Sequence, residues 1–282
     1  MSLFCCPHCG EKLFETPAGL RCPRGHAFDR AKEGYVYLLP VNQKHSKTPG
    51  DDKGMVTARR AFLDKGWYQP LRDALCALAA EAAGPAPIVL DAGCGEGYYT
   101  AGVRDALFHA GKTPQTAGLD ISKFSVQKAA KRYPGIEFAA ASVYRLPVPD
   151  ASVDLLLNVF SPLALDEFRR ALKPGGFYLY AVPAAYHLWE MKQVLYDNPY
   201  PNEEKETPYD GFAYQKIAPV TYSVHLPTQE DIHALFQMTP YYWKTPREGA
   251  ARLAELRRMD CTIDFQVHVF RRIQGGPVRV PR

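Results

Sequence analysis

The sequence predicts an α/β protein in which a small metal-binding module precedes a mostly parallel sheet. Three observations predict this class. A short apolar run at 88–90 ends in Asp91 and leads into closely spaced glycines and then a helical segment. A second apolar stretch ends in Asp120, at the distance that a strand–helix–strand crossover requires. Four of the seven cysteines lie in the first 22 residues, which favours a metal site over a disulfide framework.

Length and charge limit the possible functions. The 282 residues suffice for one large domain and one small one, and 46% of them are hydrophobic. No apolar run approaches the roughly 20 residues of a membrane helix, and no signal peptide opens the chain, so we expect a cytoplasmic protein. The first 65 residues hold 11 Lys/Arg against 7 Asp/Glu and therefore carry the whole net charge of +4. Such a region attracts phosphate backbones, although an ordinary solvated face has the same composition.

The N-terminal cysteines form part of two close ligand pairs. Cys6 and Cys9 make a C-x-x-C pair, and Cys22 and His26 make a C-x-x-x-H pair after 12 intervening residues. Four thiolate and imidazole ligands in this arrangement suit tetrahedral Zn²⁺ in a closed, structural site. Metal binding would supply the folding energy that so short a segment cannot obtain from a hydrophobic core.

The residues around these two ligand pairs offer alternative metal ligands and predict the local structure. Cys5 can replace Cys6 in the ligand set, and His8 is a weaker alternative ligand. Alternating apolar residues around Pro17–Gly19 predict the hairpin of a zinc ribbon. Phe28 and the apolar residues at 35–38 predict one further strand. The polar, Gly- and Pro-marked residues from 40 to 54 predict a linker or loop.

The glycine-rich stretch after the first strand of the main domain is the principal candidate for a ligand site. Gly93, Gly95 and Gly97 follow Asp91 as D-x-G-x-G-x-G, and glycine permits positive φ and close approach to a ligand. A dinucleotide loop requires G-x-G-x-x-G, and Tyr98 stands where its third glycine belongs. Asp91 also suits a positively charged ligand better than a diphosphate. A glycine turn without a ligand is the remaining alternative.

The rest of the main domain continues the α/β pattern. Asp120 can accept both hydroxyls of a ribose, and Ser122 can cap the helix that follows. Two helices precede the glycine loop, at 55–66 and from residue 71, with Tyr68 at their joint, where it either caps a ligand cleft or fills the joint. Further strands are predicted at 136–140, 153–158 and 177–182, with a turn at 172–176 and an antiparallel hairpin formed by 221–226 and 261–270.

Several motifs together carry a family resemblance. The D-x-G-x-G-x-G loop and the later L-K-P-G-G at 172–176 resemble class I S-adenosylmethionine (SAM)-dependent methyltransferases, which have a Rossmann-like, mostly parallel sheet with an antiparallel last strand. The chain also contains the cysteine–histidine ribbon and four further motifs. These are A-K-E-G-Y-V at 31–36, A-R-R-A-F-L-D at 58–64, Y-Q-P-L-R-D-A at 68–74 and Q-M-T-P at 237–240. This combination is similar, over nearly the whole chain, to the bacterial 23S rRNA guanine-N1 methyltransferases (the RlmA family), of the Gram-negative type.

The resemblance implies a function. It implies transfer of a methyl group from SAM to N1 of one guanine in a hairpin loop of 23S rRNA, in the hairpin 35 region, by a homodimer without membrane association. It implies one structural zinc per chain at Cys6, Cys9, Cys22 and His26. The implied domains are an RNA-binding zinc ribbon at 1–39, a basic linker and helix at 40–66, and the methyltransferase domain at 67–282.

The resemblance also implies residues for the SAM site. It adds contacts from Tyr68, Glu96 and His187, beside those expected of Asp91 and Asp120. The glycines Gly93, Gly95 and Gly97 complete the set. No residue identifies itself from the sequence as the acceptor of the guanine N1 proton.

Two other functions stay open at this point. One is a SAM-dependent methyltransferase of a small molecule, with the ribbon as a stabiliser, against which the basic N-terminal quarter speaks. The other is a non-enzymatic SAM-binding zinc-ribbon adaptor in ribosome assembly, against which the acids at the strand ends argue.

Overall fold

The computed structural model describes residues 2–40, 49–204 and 209–274. In these residues a three-stranded ribbon precedes an eight-stranded sheet that is covered by helices. Most of the predicted linker, at 41–48, lies outside the described residues, as do residues 275–282 at the C-terminal end. Across the ranges that the structure describes, every helix is too short or too polar to span a membrane.

The ribbon is a small antiparallel sheet. It consists of β1 (Phe14–Thr16), β2 (Gly19–Arg21) and β3 (Ala27–Asp29). Leu13 and Leu20 are buried beneath it, whereas Phe14 is exposed on the other side. The predicted hairpin around residues 17–19 is therefore confirmed.

The large sheet carries the rest of the described strands. They are β4 (Val36–Tyr37), β5 (Ile88–Ala92), β6 (Gln115–Asp120), β7 (Glu137–Ala140), β8 (Val153–Val159), β9 (Leu172–Pro183), β10 (Phe212–Leu226) and β11 (Met259–Arg272). Their order is β10-β11-β9-β8-β5-β6-β7-β4. Strands β4 to β9 run parallel, while β10 and β11 are antiparallel. The predicted fold class, a mostly parallel sheet with an antiparallel end, is confirmed.

Helices cover both faces of this sheet. They are α1 (Lys53–Asp64), α2 (Gln69–Ala82), α3 (Tyr98–His109), α4 (Lys123–Arg132), α5 (Leu165–Ala171), α6 (Trp189–Leu195), α7 (Gln229–Gln237), α8 (Tyr241–Lys244) and α9 (Arg247–Glu255). The cap predicted for α4 is present, because the Ser125 N–H donates to Ser122 Oγ at 3.4 Å. Tyr68 is the residue before α2, and Pro70 occupies the first turn of that helix, where its missing N–H costs nothing.

The described residues form three hydrophobic cores, and the two largest lie on opposite sides of the sheet because neighbouring strand residues face opposite sides. Leu155 and Leu157 of β8 pack with α1, α2, α3, α6 and α7 in the larger core. Leu156, between them, packs in a second core that includes α5 and the buried side of the ribbon. Each fully buried leucine contributes roughly 1.5–3 kcal/mol relative to exposure. The sheet edge that carries the glycine loop is thus supported from both faces.

The structure departs from the sequence predictions at two places. The turn expected at 172–176 lies inside the continuous strand β9. There the register with β8 moves from Val153↔Leu172 to Leu155↔Phe177, and Gly175, with φ +82°, relieves the distortion. The single strand expected from Phe28 and 35–38 is two strands, β3 in the ribbon and β4 in the large sheet.

The ribbon is attached to the main domain by more than a linker. Strand β4 pairs parallel with β7 at the edge of the large sheet. The Cys5 N–H donates to Pro147 O at 2.8 Å, and Glu137 accepts from Ser2 Oγ at 2.5 Å and from the Leu3 N–H at 3.1 Å. These contacts fix the described part of the ribbon against the sheet.

Candidate functional site

The glycine loop between β5 and α3 lies at the carboxyl edge of the sheet, where ligands of open α/β folds bind. Gly93, Gly95 and Gly97 have φ of +94°, +54° and +82°, which glycine adopts without strain. A Cβ on Gly93 would collide with Ser161, and one on Gly97 would meet neighbouring rings at 3.1 Å. Gly95 faces open space, with Arg59 Nη1 4.0 Å from the position of such a Cβ. Packing therefore requires two of these glycines, and the middle one leaves room for a ligand.

Asp120, at the end of β6, is bonded to the same loop. Its Oδ2 accepts the Gly95 N–H at 3.0 Å, and its Oδ1 accepts the Ser122 N–H at 2.7 Å. Burial raises the pKa of Asp120, although the two backbone hydrogen bonds favour its ionised form. Each oxygen keeps a further lone pair. The carboxylate can therefore accept a pair of neighbouring hydroxyl groups.

Asp91, at the end of β5, is a buried carboxyl that is only half satisfied. Thr100 Oγ1 donates to its Oδ2 at 2.6 Å, and Oδ1 has no hydrogen-bond partner among the described residues. Burial raises the pKa of Asp91 to about 7, the Thr100 bond lowers it, and the charge of Asp120 raises it. A buried acceptor without a donor costs free energy. A bound cation or ammonium group would remove this cost.

Glu96, inside the loop, is a second carboxyl of this kind. Its side chain is buried, and neither oxygen finds a hydrogen-bond partner within the described ranges. Burial raises the pKa of Glu96 to about 7, and the nearby Arg60 acts in the opposite direction. Glu96 in the loop and the free Oδ1 of Asp91 before it form an acceptor-rich site for a ligand that carries donors.

Tyr68 and His187 lie together on the aromatic side of the site. Their ring centroids are 6.3 Å apart, and the His187 ring lies 4.3 Å from Phe265. Burial lowers the pKa of His187 to about 3, with a smaller contribution from Lys192, so the imidazole is neutral. The Asp264 N–H approaches His187 Nδ1 at 3.4 Å, so the ring proton lies on Nε2, which can donate to a ligand.

The predicted site residues thus form two neighbouring groups. Asp91, Glu96 and Asp120 surround the glycine loop, whereas Tyr68 and His187 belong to the aromatic group. Tyr99, the second residue of α3, joins them, because its ring lies 6.4 Å from Phe160, which is itself 6.5 Å from Tyr68. Both groups lie along the same carboxyl edge of the sheet.

Two residues that lie over the carboxyl edge of the sheet, Arg59 and Asp51, were not predicted as site residues from the sequence. Arg59 of α1 forms an ion pair with Asp51, and its Nη2 approaches Met238 O at 3.5 Å. The backbone oxygen of Asp51 accepts from Ser122 Oγ at 2.7 Å. The A-R-R-A motif was a signal for Arg59, but local periodicity does not reveal that the residues just before α1 contact Ser122 beyond the end of β6.

The four predicted metal ligands converge in the ribbon. Cys6, Cys9, Cys22 and His26 each offer one ligand atom, and these atoms lie within 4.8 Å of one another. Cys9 Sγ is 3.7 Å from Cys22 Sγ, and His26 Nδ1 is 3.3 Å from Cys22 Sγ and 3.5 Å from Cys6 Sγ. A tetrahedral zinc with bonds of about 2.1–2.3 Å separates its ligands by roughly 3.4–3.8 Å. The donor set therefore fits a structural zinc.

The two alternative ligands lie outside this group. Cys5 faces the main domain, and burial raises the pKa of its thiol to about 11. The His8 ring stacks on Phe28 at 5.9 Å. Neither belongs to the ligand group found in the described residues.

Comparison with known families matches both parts of the chain. The zinc-ribbon family described as "RlmA, N-terminal" matches residues 4–47. The family described as "Methyltransferase domain" matches residues 89–176, which contain the glycine loop, Asp91 and Asp120.

Individual relatives align over most of the chain. A Bacillus subtilis protein provisionally named a 23S rRNA (guanine-N1)-methyltransferase is 32% identical over 276 residues, which cover 94% of this chain and 96% of that protein. A Micromonospora griseorubida protein with the same provisional name is 35% identical, with coverage of 89% and 90%. The 23S rRNA (guanine(748)-N(1))-methyltransferase of Streptomyces fradiae is 40% identical over 193 residues, 67% of this chain and 66% of that protein.

Proposed function

Since this chain belongs to the 23S rRNA (guanine-N1)-methyltransferase family, we propose that it methylates N1 of one guanine in the hairpin 35 region of 23S rRNA, with SAM as donor. One observation carries the proposal. A buried Asp91 with an unpaired oxygen lies at the glycine loop on the carboxyl edge of the sheet. That is where a cationic ligand such as SAM, with its ammonium and sulfonium groups, is stabilised best.

The proposed SAM site uses both groups of residues. Asp91 would accept the ammonium group, and Asp120 would accept the two ribose hydroxyls. Gly95 leaves space for the ligand between Gly93 and Gly97, which the packing requires. The remaining members are Glu96 in the loop, and Tyr68 and His187 on the aromatic side.

Catalysis of this reaction depends more on how the two reactants are positioned than on an acid or a base in the SAM site. SAM supplies an electrophilic methyl group when it is bound. As the new N–C bond forms, the bond between the methyl group and sulfur breaks and S-adenosylhomocysteine leaves, while the proton that guanine N1 carries at neutral pH passes to a carboxylate or to water. Burial lowers the pKa of His187, so its neutral imidazole is a weak proton acceptor near pH 7. The main contribution of the chain is to hold the two reactants in line.

The ribbon is the proposed RNA-binding module. Phe14 of β1 faces Arg21 of β2, and both side chains are exposed. An exposed aromatic ring beside a guanidinium can stack on an unpaired base while it contacts a phosphate. Lys12 and Arg24 add positive charge on the same module. We infer that residues 1–39 bind the hairpin, that residues 40–66 connect the two domains, and that residues 67–282 carry out the methyl transfer.

Assembly and location complete the proposal. We propose a homodimer, which light scattering of the purified protein would test, and a cytoplasmic location, where ribosomal RNA is found. The Gram-negative subtype stays a prediction from sequence, and the Streptomyces fradiae relative is named for guanine 748.

Primer extension tests the proposed activity and identifies the base. A methyl group on guanine N1 blocks Watson–Crick pairing, so reverse transcriptase stops one nucleotide before the modified base. We expect a single new stop after unmodified 23S rRNA is incubated with the protein and SAM, and no stop when SAM is omitted. Mass spectrometry of the digested RNA then confirms N1-methylguanosine. Full-length extension, with turnover of SAM only on small molecules, would contradict the proposal.

A further inference from the structure

Phe160 is the first residue after β8 and has an unusual backbone. Its φ is +54°, in the left-handed region that a bulky side chain rarely adopts. Its N–H donates to Ala181 O of β9 at 3.3 Å, which holds this conformation. Strained residues of this kind occur at functional sites, because the surrounding structure must stabilise them. Phe160 lies at the carboxyl edge of the sheet, where the methyl donor is proposed to bind.

The Phe160 ring is supported on one side and open on another. Its centroid lies 4.9 Å from that of Phe265, which is itself buried, and 6.5 and 6.4 Å from those of Tyr68 and Tyr99. The side chain is nevertheless 44% exposed. Burial of the whole ring would be favourable, so the fold keeps aromatic surface in water at this place. The ring therefore packs on Phe265 while much of the residue stays accessible to a ligand.

The residue after Phe160 connects this ring to the glycine loop. The Ser161 side chain occupies the space in which a Cβ on Gly93 would lie. The Asn158 Nδ2, two residues before the ring, donates to Pro162 O at 3.1 Å and approaches Ala92 O at 3.4 Å. These contacts tie the segment that carries Phe160 to β5 and to the loop that follows it.

We propose that Phe160 is the platform on which the target guanine stacks. This inference rests on the proposed function and adds a residue that contacts the RNA base. A base in a hairpin loop can leave its own stack at modest cost and find a replacement surface on an aromatic ring. Stacking on the exposed face fixes the plane of the guanine beside the methyl donor. Phe160 is a specificity-neutral support, because every base has a face that can stack.

The test compares four variants of the zinc-loaded full chain. Phe160→Ala removes the ring, Phe160→Leu keeps apolar volume without a ring, and Phe160→Tyr keeps the ring. Phe108→Ala, at an exposed position near the end of α3, is the matched control. Single-turnover methylation of the rRNA hairpin is measured at saturating SAM, together with SAM affinity by calorimetry.

A stacking role and a simple packing role for Phe160 predict different methylation rates for these variants. Loss of one base–aromatic stack weakens transfer by about 10- to 100-fold. We expect this loss in the Ala and Leu variants, near-wild-type rates in the Tyr variant and the Phe108 control, and unchanged SAM affinity in all of them. If Phe160 only fills space, the Leu variant remains as active as wild type, and the proposal is overturned.

A fluorescent base reports the contact directly. The hairpin is prepared with 2-aminopurine at the target position, because its fluorescence rises when the base leaves the RNA stack and falls when it stacks on a ring. We expect the complex with Phe160→Leu to be brighter than the complexes with wild type and Phe160→Tyr. Equal brightness in all three complexes would overturn the stacking proposal while wild-type methylation leaves the proposed function intact. A wild-type protein that methylates no RNA would remove both.

Discussion

The zinc ribbon and the carboxyl edge of the sheet both bring polar side chains together, but different forces hold them. The ribbon has strands of three residues each, and its four ligands lie within 4.8 Å of one another. Without a metal, such a cluster of thiols and imidazole has little to stabilise it. The sheet edge is supported by two hydrophobic cores that include α2, α3 and α5. It can therefore keep Asp91 and Glu96 buried without a ligand, although three of their four carboxyl oxygens have no hydrogen-bond partner among the described residues.

This difference shows which interactions stabilise each of the two regions. The ribbon shares a core with the main domain, and we expect its ion to join the two ligand pairs, whereas the sheet edge is formed without a ligand and holds carboxyls whose desolvation cost a ligand can remove. Preorganised acceptors of this kind improve binding because little further ordering is required.

Zinc removal gives the largest expected effect. Binding of structural zinc contributes on the order of 10–16 kcal/mol in small zinc modules, so chelation should unfold the ribbon. Cys22→Ser should do the same, while SAM affinity changes by less than about threefold, because the sheet edge has its own cores. Limited proteolysis locates the unfolded segment, and calorimetry measures SAM binding. Cys5→Ser is the matched control, since Cys5 lies outside the ligand group, and it should retain zinc. Loss of SAM binding along with zinc would refute the separation of the two regions.

The buried Asp91 should make the ligand-free protein less stable as the pH rises. Its pKa is raised from 3.8 to about 7 by burial, so between these values the folded state holds a proton that the unfolded chain has lost. The free energy of unfolding therefore falls as pH increases from about 4 to 7, by up to about 4 kcal/mol, and is constant for this group above 7. Asp91→Asn should remove the Asp91 part of this slope and leave the parts due to Glu96 and Asp120, whose pKa values burial also raises. Urea unfolding of both proteins from pH 4 to 8 measures it, and zinc loss at low pH affects both alike. Parallel pH profiles would show that Asp91 is not buried as the structure places it.

Much of this sheet edge was predictable from sequence, because its signals are local. The apolar run before Asp91, the alternate glycines and the acid at Asp120 each specify a strand end or a turn without reference to distant residues. The metal set was predictable for the same reason, since Cys6 and Cys9 are neighbours in one turn.

The remaining features depend on contacts between distant parts of the chain. The pairing of β4 with β7 joins residues about 100 positions apart, and no alternation in 35–38 reveals its partner. The ion pair of Arg59 with Asp51 forms over the site only because residues 50 and 51, just before α1, pack against Ile121 and Ser122 after β6. The positive φ of Phe160 is imposed by β9 and the glycine loop, so the residue type gives no indication of it.

Substitution of Gly93 and of Gly95 should show which glycine is required for packing and which leaves space for the ligand. Gly93→Ala places a Cβ where Ser161 lies and requires a positive φ of alanine, so we expect a loss of about 1–3 kcal/mol in the free energy of unfolding. The double variant Gly93→Ala, Ser161→Gly should recover part of this loss. Gly95→Ala shares the strain of a positive φ but meets open space, so it should cost only about 1 kcal/mol, less than Gly93→Ala, and should weaken SAM binding. Chemical denaturation and calorimetry distinguish the two, and equal destabilisation by Gly93→Ala and Gly95→Ala would contradict the assignment.

The smallest expected effect concerns the charge of the ribbon. Arg21→Ala removes one exposed cation, so hairpin affinity should fall by a few-fold, and the dependence of log affinity on log salt should decrease by about one. SAM affinity should not change. Lys244→Ala, exposed in α8 on the main domain, serves as control and should leave RNA affinity unaltered. Filter binding over a range of salt concentrations decides, and an unchanged salt dependence for Arg21→Ala would argue against an RNA-binding ribbon.

The most direct measurement of the central claim is a calorimetric titration of SAM into the zinc-loaded wild-type protein and into Asp91→Asn. Loss of a charged hydrogen-bond partner costs about 1.5–3 kcal/mol, so we expect one SAM per chain for wild type and an affinity about 10- to 100-fold lower for Asp91→Asn. Asp166→Asn, at an exposed position on α5, should bind as wild type does. Equal affinities for wild type and Asp91→Asn, or no heat of binding to the folded wild-type protein, would contradict the account.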